Sequence, residues 1–426
     1  MTLHDPTGFD AIVVGAGPAG ATAAIRLARG GWRVAVVDKQ RFPRRKVCGE
    51  CVAASNLPLL DALGIGEAVR DAAGPALRRA ALIHGDLTVG AELPAAAHPV
   101  HRFGRALGRE TLDTLLVARA RGSGAQVLER HVVQSIEGAT GEWRCTVRAL
   151  DALPGDAAAL TLRAPVLVAA HGSWEPLPSI GPPRRPRRAS DLLAFKANFS
   201  GASLEEGVLP VLAFAGGYGG MVVADGGLLT LACCIRADRL DAVRREFPGV
   251  RAGEAVEALL QRECGGVRDA LRGARRVGGW LAAGPLAPGV RLGRDDAHGG
   301  VVLRIGNAAG EAHPIIGEGM SMAFQSAWLL TDALLDASAR LGRDAMRGVE
   351  AQRALAARYE RRWRREFTPR LHLGAVFAHL AMHPRGAATL MALLRAWPAL
   401  LTHGARGGGK VRSAVTLSPT EMRTCA

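Results

Sequence analysis

The feature that most constrains the fold of this chain is a glycine pattern close to its N-terminus. An apolar run at residues 11–14 leads directly into Gly15, Gly17 and Gly20, which are spaced as G-x-G-x-x-G. The residues that follow, 18–29, are predicted to form a helix. The order of strand, tight turn and helix predicts the first half of a βαβ unit.

Each glycine of this pattern has a separate physical role in a dinucleotide-binding unit. Gly15 permits the tight turn, Gly17 lets the backbone approach a pyrophosphate, and Gly20 lets the helix pack closely against the strand. The helix N-terminus offers free N–H groups and a positive dipole end to the phosphates. A second apolar run ends at Asp38, whose carboxylate can accept hydrogen bonds from ribose hydroxyls. The sequence therefore predicts a bound dinucleotide here.

The composition is that of a globular protein with room for more than one domain. The chain has 426 residues, of which 48% are hydrophobic and 22% charged, and this length predicts two sequential or intertwined domains. The net charge is +15 but aromatic residues make up only 4%, whereas nucleic-acid surfaces interleave basic and aromatic side chains. We therefore predict no nucleic-acid partner and assign the charge to the solvated surface, with attraction to an anionic cofactor or membrane as the alternative.

The cysteines and the first residues bear on location. The seven cysteines are odd in number and scattered, which favours a reducing, cytoplasmic environment over a disulfide scaffold. The first apolar run follows His4 and Asp5 without a basic region, so we predict a strand and not a signal peptide. No apolar stretch is long enough to span a bilayer.

We predict no metal site. Cys48 and Cys51 form a C-x-x-C pair, for which a chance juxtaposition is favoured over a redox-active dithiol.

The remaining patterns predict a nucleotide-binding domain that is split by a strand-rich insertion. A proline–arginine loop at 175–188 ends one region. Helices are predicted at residues 111–121, 253–262, 319–337 and 346–367, and within 376–401 as two helices broken by Pro384. The predicted boundaries are 1–77, 98–175 and 286–345 for the nucleotide-binding domain, 78–97 and 176–285 for the inserted domain, 346–403 for C-terminal helices and 404–426 for a flexible tail.

A second glycine-containing segment lies far along the chain. An apolar strand runs into Gly306-Asn307, a loop follows, and Gly317 and Gly319 lie at the start of a helix. This arrangement resembles the second nucleotide signature of FAD-dependent monooxygenases and geranylgeranyl-reductase-like flavoproteins. The resemblance extends to the segments FPRRKVCGE, GRETLDTLL and AAHGSW, and covers roughly residues 9–340.

The resemblance implies an α/β fold, with a Rossmann-like FAD-binding domain, an inserted mixed β-sheet substrate domain and C-terminal helices. It implies that FAD is the cofactor and that Gly306-Asn307 contacts the ribityl chain. The N–H groups of Gly319 and Met320, at the positive end of a helix, would stabilise reduced flavin. The predicted cofactor-binding residues are Gly15, Ala16, Gly17, Pro18, Ala19, Gly20, Asp38, Lys39, Arg44, Lys46, Gly49, Arg109, Val133, Gly306, Asn307, Pro314, Gly317, Gly319 and Met320.

The chain departs from the family pattern at two positions. Asn307 stands where the family has an aspartate, and because an amide also hydrogen-bonds to hydroxyls we expect ribityl binding to be kept. His171-Gly172 stands where the family has Asp-Gly, whose carboxylate is linked to flavin and nicotinamide binding, and we interpret His171 as a loop residue. No second G-x-G-x-x-G is present, so NADH or NADPH is expected to visit transiently as the reductant. The halogenase motif W-x-W-x-I-P is absent, which disfavours halogenation.

Four residues are candidates for catalysis, each with a structural alternative. Tyr218, in the glycine-rich segment FAGGYGGMVV, is predicted to point at the substrate or to be a core tyrosine. His313 precedes the flavin-facing helix and could act as acid or base, with a surface-loop role as the alternative. Glu50 could reach the active site or cap a helix. Cys48 matches a cysteine that geranylgeranyl reductases carry in a K-x-C-G fragment.

The favoured function is that of a NAD(P)H- and O2-dependent FAD monooxygenase, a hydroxylase or epoxidase acting on a hydrophobic secondary metabolite such as a polyketide or an aromatic compound. The alternative is geranylgeranyl-reductase-like saturation of isoprenoid or polyene double bonds, although the Y-x-W-x-F-P element of those reductases is missing. A non-catalytic flavoprotein and a dithiol oxidase using Cys48 and Cys51 are further alternatives. The apolar C-terminal helices are predicted to cover the domain, with peripheral membrane or lipid contact as the other interpretation.

Overall fold

The computed structural model describes residues 8–151, 159–173, 176–179, 186–293, 300–417 and 421. Two main β-sheets and the helices that cover them account for most of these residues. The strands are β1 (Ala11–Val14), β2 (Val34–Val37), β3 (Cys51–Val52), β4 (Arg79–His84), β5 (Leu87–Glu92), β6 (Arg105–Ala106), β7 (Gln126–Leu128), β8 (His131–Glu137), β9 (Trp143–Ala149), β10 (Leu160–Ala164), β11 (Val166–Ala169), β12 (Leu192–Ser200), β13 (Val208–Phe214), β14 (Gly217–Val223), β15 (Leu229–Arg236), β16 (Arg275–Leu286), β17 (Gly289–Val290), β18 (Val302–Arg304) and β19 (Gly310–Glu311). The helices are α1 (Pro18–Arg29), α2 (Leu57–Ala62), α3 (Gly66–Ala72), α4 (Arg109–Gly122), α5 (Ala237–Glu246), α6 (Ala252–Glu263), α7 (Gly265–Ala270), α8 (Gly319–Leu341), α9 (Val349–Met382), α10 (Pro384–Ala396) and α11 (Ala399–Gly407).

The first sheet is parallel, with five strands in the order β18, β11, β1, β2, β7. Strands β1, β2 and β11 are buried along their whole length, as expected for parallel strands covered on both faces. Alternate side chains of β1 pack with α1, α4 and α8 on one face and with the antiparallel sheet of β8, β9 and β10 on the other. The carboxyl ends of β1 and β2 meet at one edge, where Gly15 and Asp38 follow them.

The second sheet is mixed, with seven strands in the order β16, β12, β15, β14, β13, β4, β5. Strands β13 and β4 run parallel, and the other neighbours run antiparallel. Helices α5, α6 and α7 cover one face, where Phe199 and Leu259 are buried. Helices α9 and α10 cover the other face, where Tyr218 belongs to one apolar cluster with Ala378 and Met391. The face that carries Tyr218 is therefore turned toward the C-terminal helices.

The C-terminal helices differ from their predicted boundaries. Residues 349–382 form one helix that continues through Pro369, so the predicted helix end at residue 367 is wrong. The break falls at His383, and Pro384 begins α10 at a first-turn position, where its missing N–H is tolerated. Apolar residues on both sides of Pro369 pack against the same protein body, and this tertiary packing outweighs the local cost of an internal proline.

Residues 404–417 are packed, which corrects the prediction of a flexible tail for this part of the chain. Helix α11 continues to Gly407, and the Ser55 hydroxyl donates to the carbonyl oxygen of Gly409 at 2.8 Å. The side chain of Val415 is 7% exposed. The run of glycines suggested a linker, but hydrogen bonds from the N-terminal part of the chain fix its backbone.

The described part of the chain contains neither a membrane-spanning helix nor a metal-binding cluster. Its helices include none with the length and hydropathy needed to cross a membrane. Its His, Cys, Asp and Glu side chains form no group of three or more that could hold a metal ion.

Candidate functional site

A cavity of about 710 Å³ lies between the carboxyl edge of the parallel sheet, the second sheet and the C-terminal helices. It brings together segments that are hundreds of residues apart in the chain. Of the predicted cofactor-binding residues, those that line it are Gly15, Gly17, Pro18, Ala19, Asp38, Lys39, Arg44, Lys46, Gly49, Arg109, Val133, Gly306, Asn307, Pro314, Gly317, Gly319 and Met320. Ala16 and Gly20 lie beside the cavity and not in its lining.

The glycine turn after β1 is fixed from both sides. The Ala16 N–H donates to Asp38 Oδ2 and the Gln40 N–H donates to Asp38 Oδ1, each at 2.8 Å. A Cβ atom at Gly20 would lie 1.8 Å from the carbonyl oxygen of Gly15, so helix and turn meet in backbone contact. Asp38 is buried, and because each carboxylate oxygen accepts more than one hydrogen bond it can still receive hydroxyl donors from the cavity.

Two guanidinium groups face this turn. The atoms nearest to a Cβ built on Gly17 are Arg44 Nη2 at 3.5 Å and Arg109 Nη2 at 3.8 Å. Arg109 donates through Nε and Nη2 to both oxygens of Asp113, at 2.7 and 2.6 Å, and Arg44 Nη2 lies 3.4 Å from the same carboxylate. Asp113 is fully buried and one helical turn from Arg109, so the fork of the guanidinium is held in one orientation. The turn is therefore lined by positive charge.

Lys46 adds a third cation to this end of the cavity. The pKa of Lys46 is lowered to about 8, chiefly by burial and also by the charges of Arg109 and Arg44, against the opposing effect of Asp113 and Asp38. A lysine in this state gains from any anion that approaches it. The three cations and the N-terminus of α1 together favour a phosphate-bearing ligand at the glycine turn.

The start of α8 forms another part of the cavity wall. Gly317 has a left-handed backbone with φ of +61°, and a Cβ built on Gly319 would meet nothing within 4 Å. The Met322 N–H makes an early intrahelical bond, to the carbonyl of Glu318 at 2.9 Å, so the N–H groups of residues 319–321 precede the helix ladder. These N–H groups carry the positive end of the helix dipole to the cavity wall.

Asn307 and Glu311 also line the cavity and are hydrogen-bonded to each other. The Asn307 amide donates to Glu311 Oε1 at 3.3 Å, and Ser173 donates to the same oxygen at 2.8 Å. The second oxygen of Glu311 accepts from the Ala287 N–H and from Arg291. The sequence did not lead us to predict Glu311 as a functional residue. Its available signal in the sequence is that of a single acidic residue in an otherwise apolar loop.

Glu50 occupies a strained and buried position at the junction of the two sheets. Its φ is +57°, and its carboxylate accepts hydrogen bonds from Lys196 Nζ, Thr230 Oγ1 and the Arg109 N–H, the last at 3.1 Å. Glu50 therefore lies at the N-terminus of α4 and also lines the cavity. Lys196 was not predicted as a functional residue, although a lone lysine inside the apolar strand LLAFKANFS is a usable signal.

Two catalytic candidates that are 95 residues apart in sequence meet at the cavity. Tyr218 Oη and His313 Nδ1 are 3.1 Å apart, and Tyr218 lines the cavity. Burial raises the pKa of Tyr218, with Cys234 contributing, and burial lowers the pKa of His313, with the charge of His379 contributing. Both shifts favour the neutral forms, so the pair is a hydrogen-bonding unit near neutral pH.

The two cysteines of the C-x-x-C pair also line the cavity, and both are free thiols. The Glu50 N–H donates to Cys48 Sγ at 3.3 Å. Burial raises the pKa of Cys51, which disfavours its thiolate. His171 lies in the cavity lining next to the glycine turn, where its Cα would be 2.9 Å from a Cβ built on Gly15.

Comparison with known proteins agrees with this geometry. Residues 8–199 match the family model described as an FAD binding domain. The N-terminal part of the chain is therefore similar to the FAD-binding domains of that family. The matched segment includes the glycine turn, Asp38, the cation cluster and the loop of Glu50, and it ends within β12.

Three curated relatives show where the sequence likeness lies. The chain is 26% identical over 353 residues to conditioned medium factor receptor 1 of Dictyostelium discoideum, covering 79% of this chain and 65% of that protein. It is 35% identical over 128 residues to menaquinone reductase of Mycobacterium tuberculosis, covering 30% of either protein. It is 44% identical over 75 residues to 6-methylpretetramide 4-monooxygenase of Streptomyces rimosus, covering 16% of this chain and 18% of that protein. The chain thus spans less than two thirds of the length of each.

Solved structures share the fold over nearly the whole chain. The myxobacterial chondrochloren halogenase superposes with a TM-score of 0.73 at 19% identity, covering 98% of this chain and 96% of that chain. The geranylgeranyl bacteriochlorophyll reductase-like protein of Thermoplasma acidophilum superposes with a TM-score of 0.66 at 16% identity, covering 98% and 96%. At these identities the likeness concerns the fold.

The lining residues fit FAD. Gly17 leaves open the space in front of Arg44 and Arg109 that a pyrophosphate needs. Asp38, which directly follows β2, also lines the cavity and would bind the ribose. Gly319 and Met320, at the start of α8, would hold the flavin ring through their N–H groups, which would stabilise its reduced form.

We expect FAD to bind about tenfold more weakly at pH 9.5 than at pH 7, because Lys46 loses its charge near pH 8. An anionic ligand raises the pKa of this lysine, so binding takes up a proton above pH 8, and a rise of one unit corresponds to a tenfold change in affinity. Fluorescence titration of FAD onto the apoprotein measures the effect. Lys46→Arg should bind equally at both pH values, and an undiminished pH dependence in Lys46→Met would contradict the assignment.

Proposed function

We propose that the protein is an FAD-dependent monooxygenase, a hydroxylase or epoxidase that is reduced by NADH or NADPH and uses O2. Its substrate is a hydrophobic secondary metabolite of the polyketide or aromatic class. The observation that carries the proposal is an apolar chamber, the part of the cavity between the second sheet and the C-terminal helices, which opens onto the start of α8. The side chains that form the chamber are Leu82, Leu209, Val211, Met221, Phe377, Leu390, Leu394 and Leu401.

Bound FAD would supply the redox chemistry and the activation of oxygen. The protein's own residues would bind the cofactor, orient the substrate and exclude water. Arg44, Lys46 and Arg109 would hold the pyrophosphate. The apolar chamber would hold the substrate away from solvent, and this protects reactive states from water.

The Tyr218–His313 pair provides polar recognition inside the apolar chamber. When His313 Nδ1 accepts the hydrogen bond, Tyr218 Oη can accept from a substrate hydroxyl. When Nδ1 carries the proton, Oη can donate to a substrate carbonyl. The pair therefore suits an oxygen atom on an otherwise apolar substrate and holds the reacting carbon in one position.

A second candidate is the saturation of isoprenoid or polyene double bonds. The observation that favours it is the position of Cys48 in the cavity lining, fixed by the Glu50 N–H, together with the 35% identity to a menaquinone reductase over 128 residues. Halogenation is disfavoured because the chain lacks the W-x-W-x-I-P motif, although halogenases share the fold.

The products formed with and without oxygen separate the two candidates. The purified protein, FAD and NADPH are incubated with an extract from a strain that lacks the gene. We expect mass spectrometry to show a product that is heavier than its precursor by one oxygen atom and that forms only in air. A protein preparation stripped of FAD is the control. Cys48→Ser should retain this activity. A product heavier by two hydrogen atoms, formed without oxygen and lost in Cys48→Ser, would overturn the monooxygenase proposal in favour of the reductase.

We expect Tyr218→Phe to lower kcat/KM for the substrate about tenfold, which corresponds to about 1.4 kcal/mol of lost transition-state binding. The FAD content should not change, because Tyr218 is placed at the substrate end of the cavity. The matched control is Tyr359→Phe, the other tyrosine of the chain, whose hydroxyl donates to the carbonyl of Arg304 at 2.8 Å. Equal losses in both variants would count against a role for Tyr218 at the substrate.

We also propose that the outer surface of the C-terminal helices contacts anionic lipid. Val376, Leu393, Trp397 and Leu400 are 58%, 42%, 62% and 43% exposed. Trp397 lies between α10 and α11, and the other three lie on helices whose inner faces line the chamber. Arg385, Arg395 and Arg406 lie on α10 and α11, and such a mixture of apolar and basic side chains suits the surface of a bilayer.

Sedimentation with vesicles tests the lipid contact. We expect binding to phosphatidylglycerol vesicles and loss of most of it in Trp397→Ser, because an exposed indole inserts at the lipid interface. Leu341→Ser removes an apolar side chain of similar exposure, 64%, at the end of α8 and is the control. Equal binding of Trp397→Ser and the parent protein would exclude this surface.

A further inference from the structure

The segment after α11 supplies a positive charge to the cavity wall. Lys410 lines the cavity, and its Nζ donates to the carbonyl oxygen of Gly317 at 3.1 Å. Gly317 lies two residues before the first residue of α8. Lys410 therefore lies beside the start of α8, where the flavin ring would lie.

The backbone of this segment is held in a defined position. The Ser55 hydroxyl donates to the carbonyl of Gly409 at 2.8 Å, and the Ser55 N–H donates to the carbonyl of Lys410 at 3.2 Å. Gly409 has φ of +76°, and a Cβ there would lie 2.5 Å from Arg370 Nη1. Only glycine satisfies both conditions, so the approach of Lys410 to the cavity is built into the chain.

The charges around Lys410 leave a net positive wall. Glu318 is fully buried, and Arg370 Nη1 lies 3.2 Å from its Oε2. Burial raises the pKa of Glu318, while Lys410 and Arg370 lower it. Since Arg370 pairs with this carboxylate and Lys410 donates to a neutral carbonyl, the three side chains together carry more positive than negative charge.

We propose that Lys410 stabilises the anionic reduced form of the bound flavin and so raises its reduction potential. The inference rests on the FAD binding of the proposed function. Reduced flavin carries negative charge near N1 and O2, and a cation at a partly desolvated wall acts on it more strongly than in water. Lys410 would add to the N–H groups at the start of α8, whose dipole acts in the same direction.

The test compares Lys410→Gln with Lys410→Arg in the FAD-loaded protein. Glutamine keeps a donor for the Gly317 carbonyl and removes the charge, whereas arginine keeps the charge. We expect Lys410→Gln to lower the two-electron midpoint potential by about 30 mV, which is a tenfold loss of preference for reduced over oxidised FAD, and Lys410→Arg to retain it. Arg272→Gln removes an exposed charge elsewhere and should not change the potential.

An unchanged potential in Lys410→Gln, or an equal fall in Arg272→Gln, would overturn the inference. Photoreduction of the flavin allows the midpoint potential to be measured without nicotinamide, so the result is independent of the monooxygenase assignment. A parent protein that binds no FAD would instead refute the proposed function. If neither Lys410 variant retains FAD, Ser55→Ala decides, because it removes the hydrogen bond to the Gly409 carbonyl that positions Lys410: a lower midpoint potential supports the inference, and an unchanged one overturns it.

Discussion

The structure depends on a cluster of buried positive charge around the N-terminus of α1. Arg44, Lys46 and Arg109 meet there, with Asp38 and Asp113 as the neighbouring carboxylates. Burying charge without full compensation is costly, and the lowered pKa of Lys46 expresses that cost. A bound pyrophosphate would compensate the excess charge. The site is therefore arranged for an anionic dinucleotide before any catalytic group is considered.

The same cluster is mechanically joined to the second sheet. Arg109 is the first residue of α4, and its backbone N–H donates to the Glu50 carboxylate. The same carboxylate accepts hydrogen bonds from Lys196 and Thr230 of the second sheet. Glu50 adopts a left-handed backbone, which is unfavourable for a residue with a side chain. A buried carboxylate that holds three donors from different parts of the chain compensates that strain. The cofactor end and the substrate sheet are thereby held in one geometry.

The C-terminal helices give the cavity its apolar character. Halogenases, reductases and monooxygenases share this fold, so the fold alone does not select the chemistry. In the proposed function, the chamber formed by the second sheet and helices α9 to α11 would select the substrate. Tyr218 lines this chamber and forms a hydrogen-bonded pair with His313.

The sequence by itself determined the local units. The glycine spacing and the acid at residue 38 are short-range patterns whose physical roles are set within about thirty residues, and they predicted a bound dinucleotide. The family resemblance, to which the helix start at Gly319 contributes, implied FAD and the fold class. The tertiary structure decided which distant side chains meet. Tyr218 with His313, Glu50 with Lys196, and Lys410 with Gly317 are separated by 95, 146 and 93 residues. Glycine-rich composition made residues 404–417 look flexible, because composition does not reveal the hydrogen bonds from Ser55 that fix them. Such contacts depend on how sheets and helices pack, and no local pattern encodes that packing.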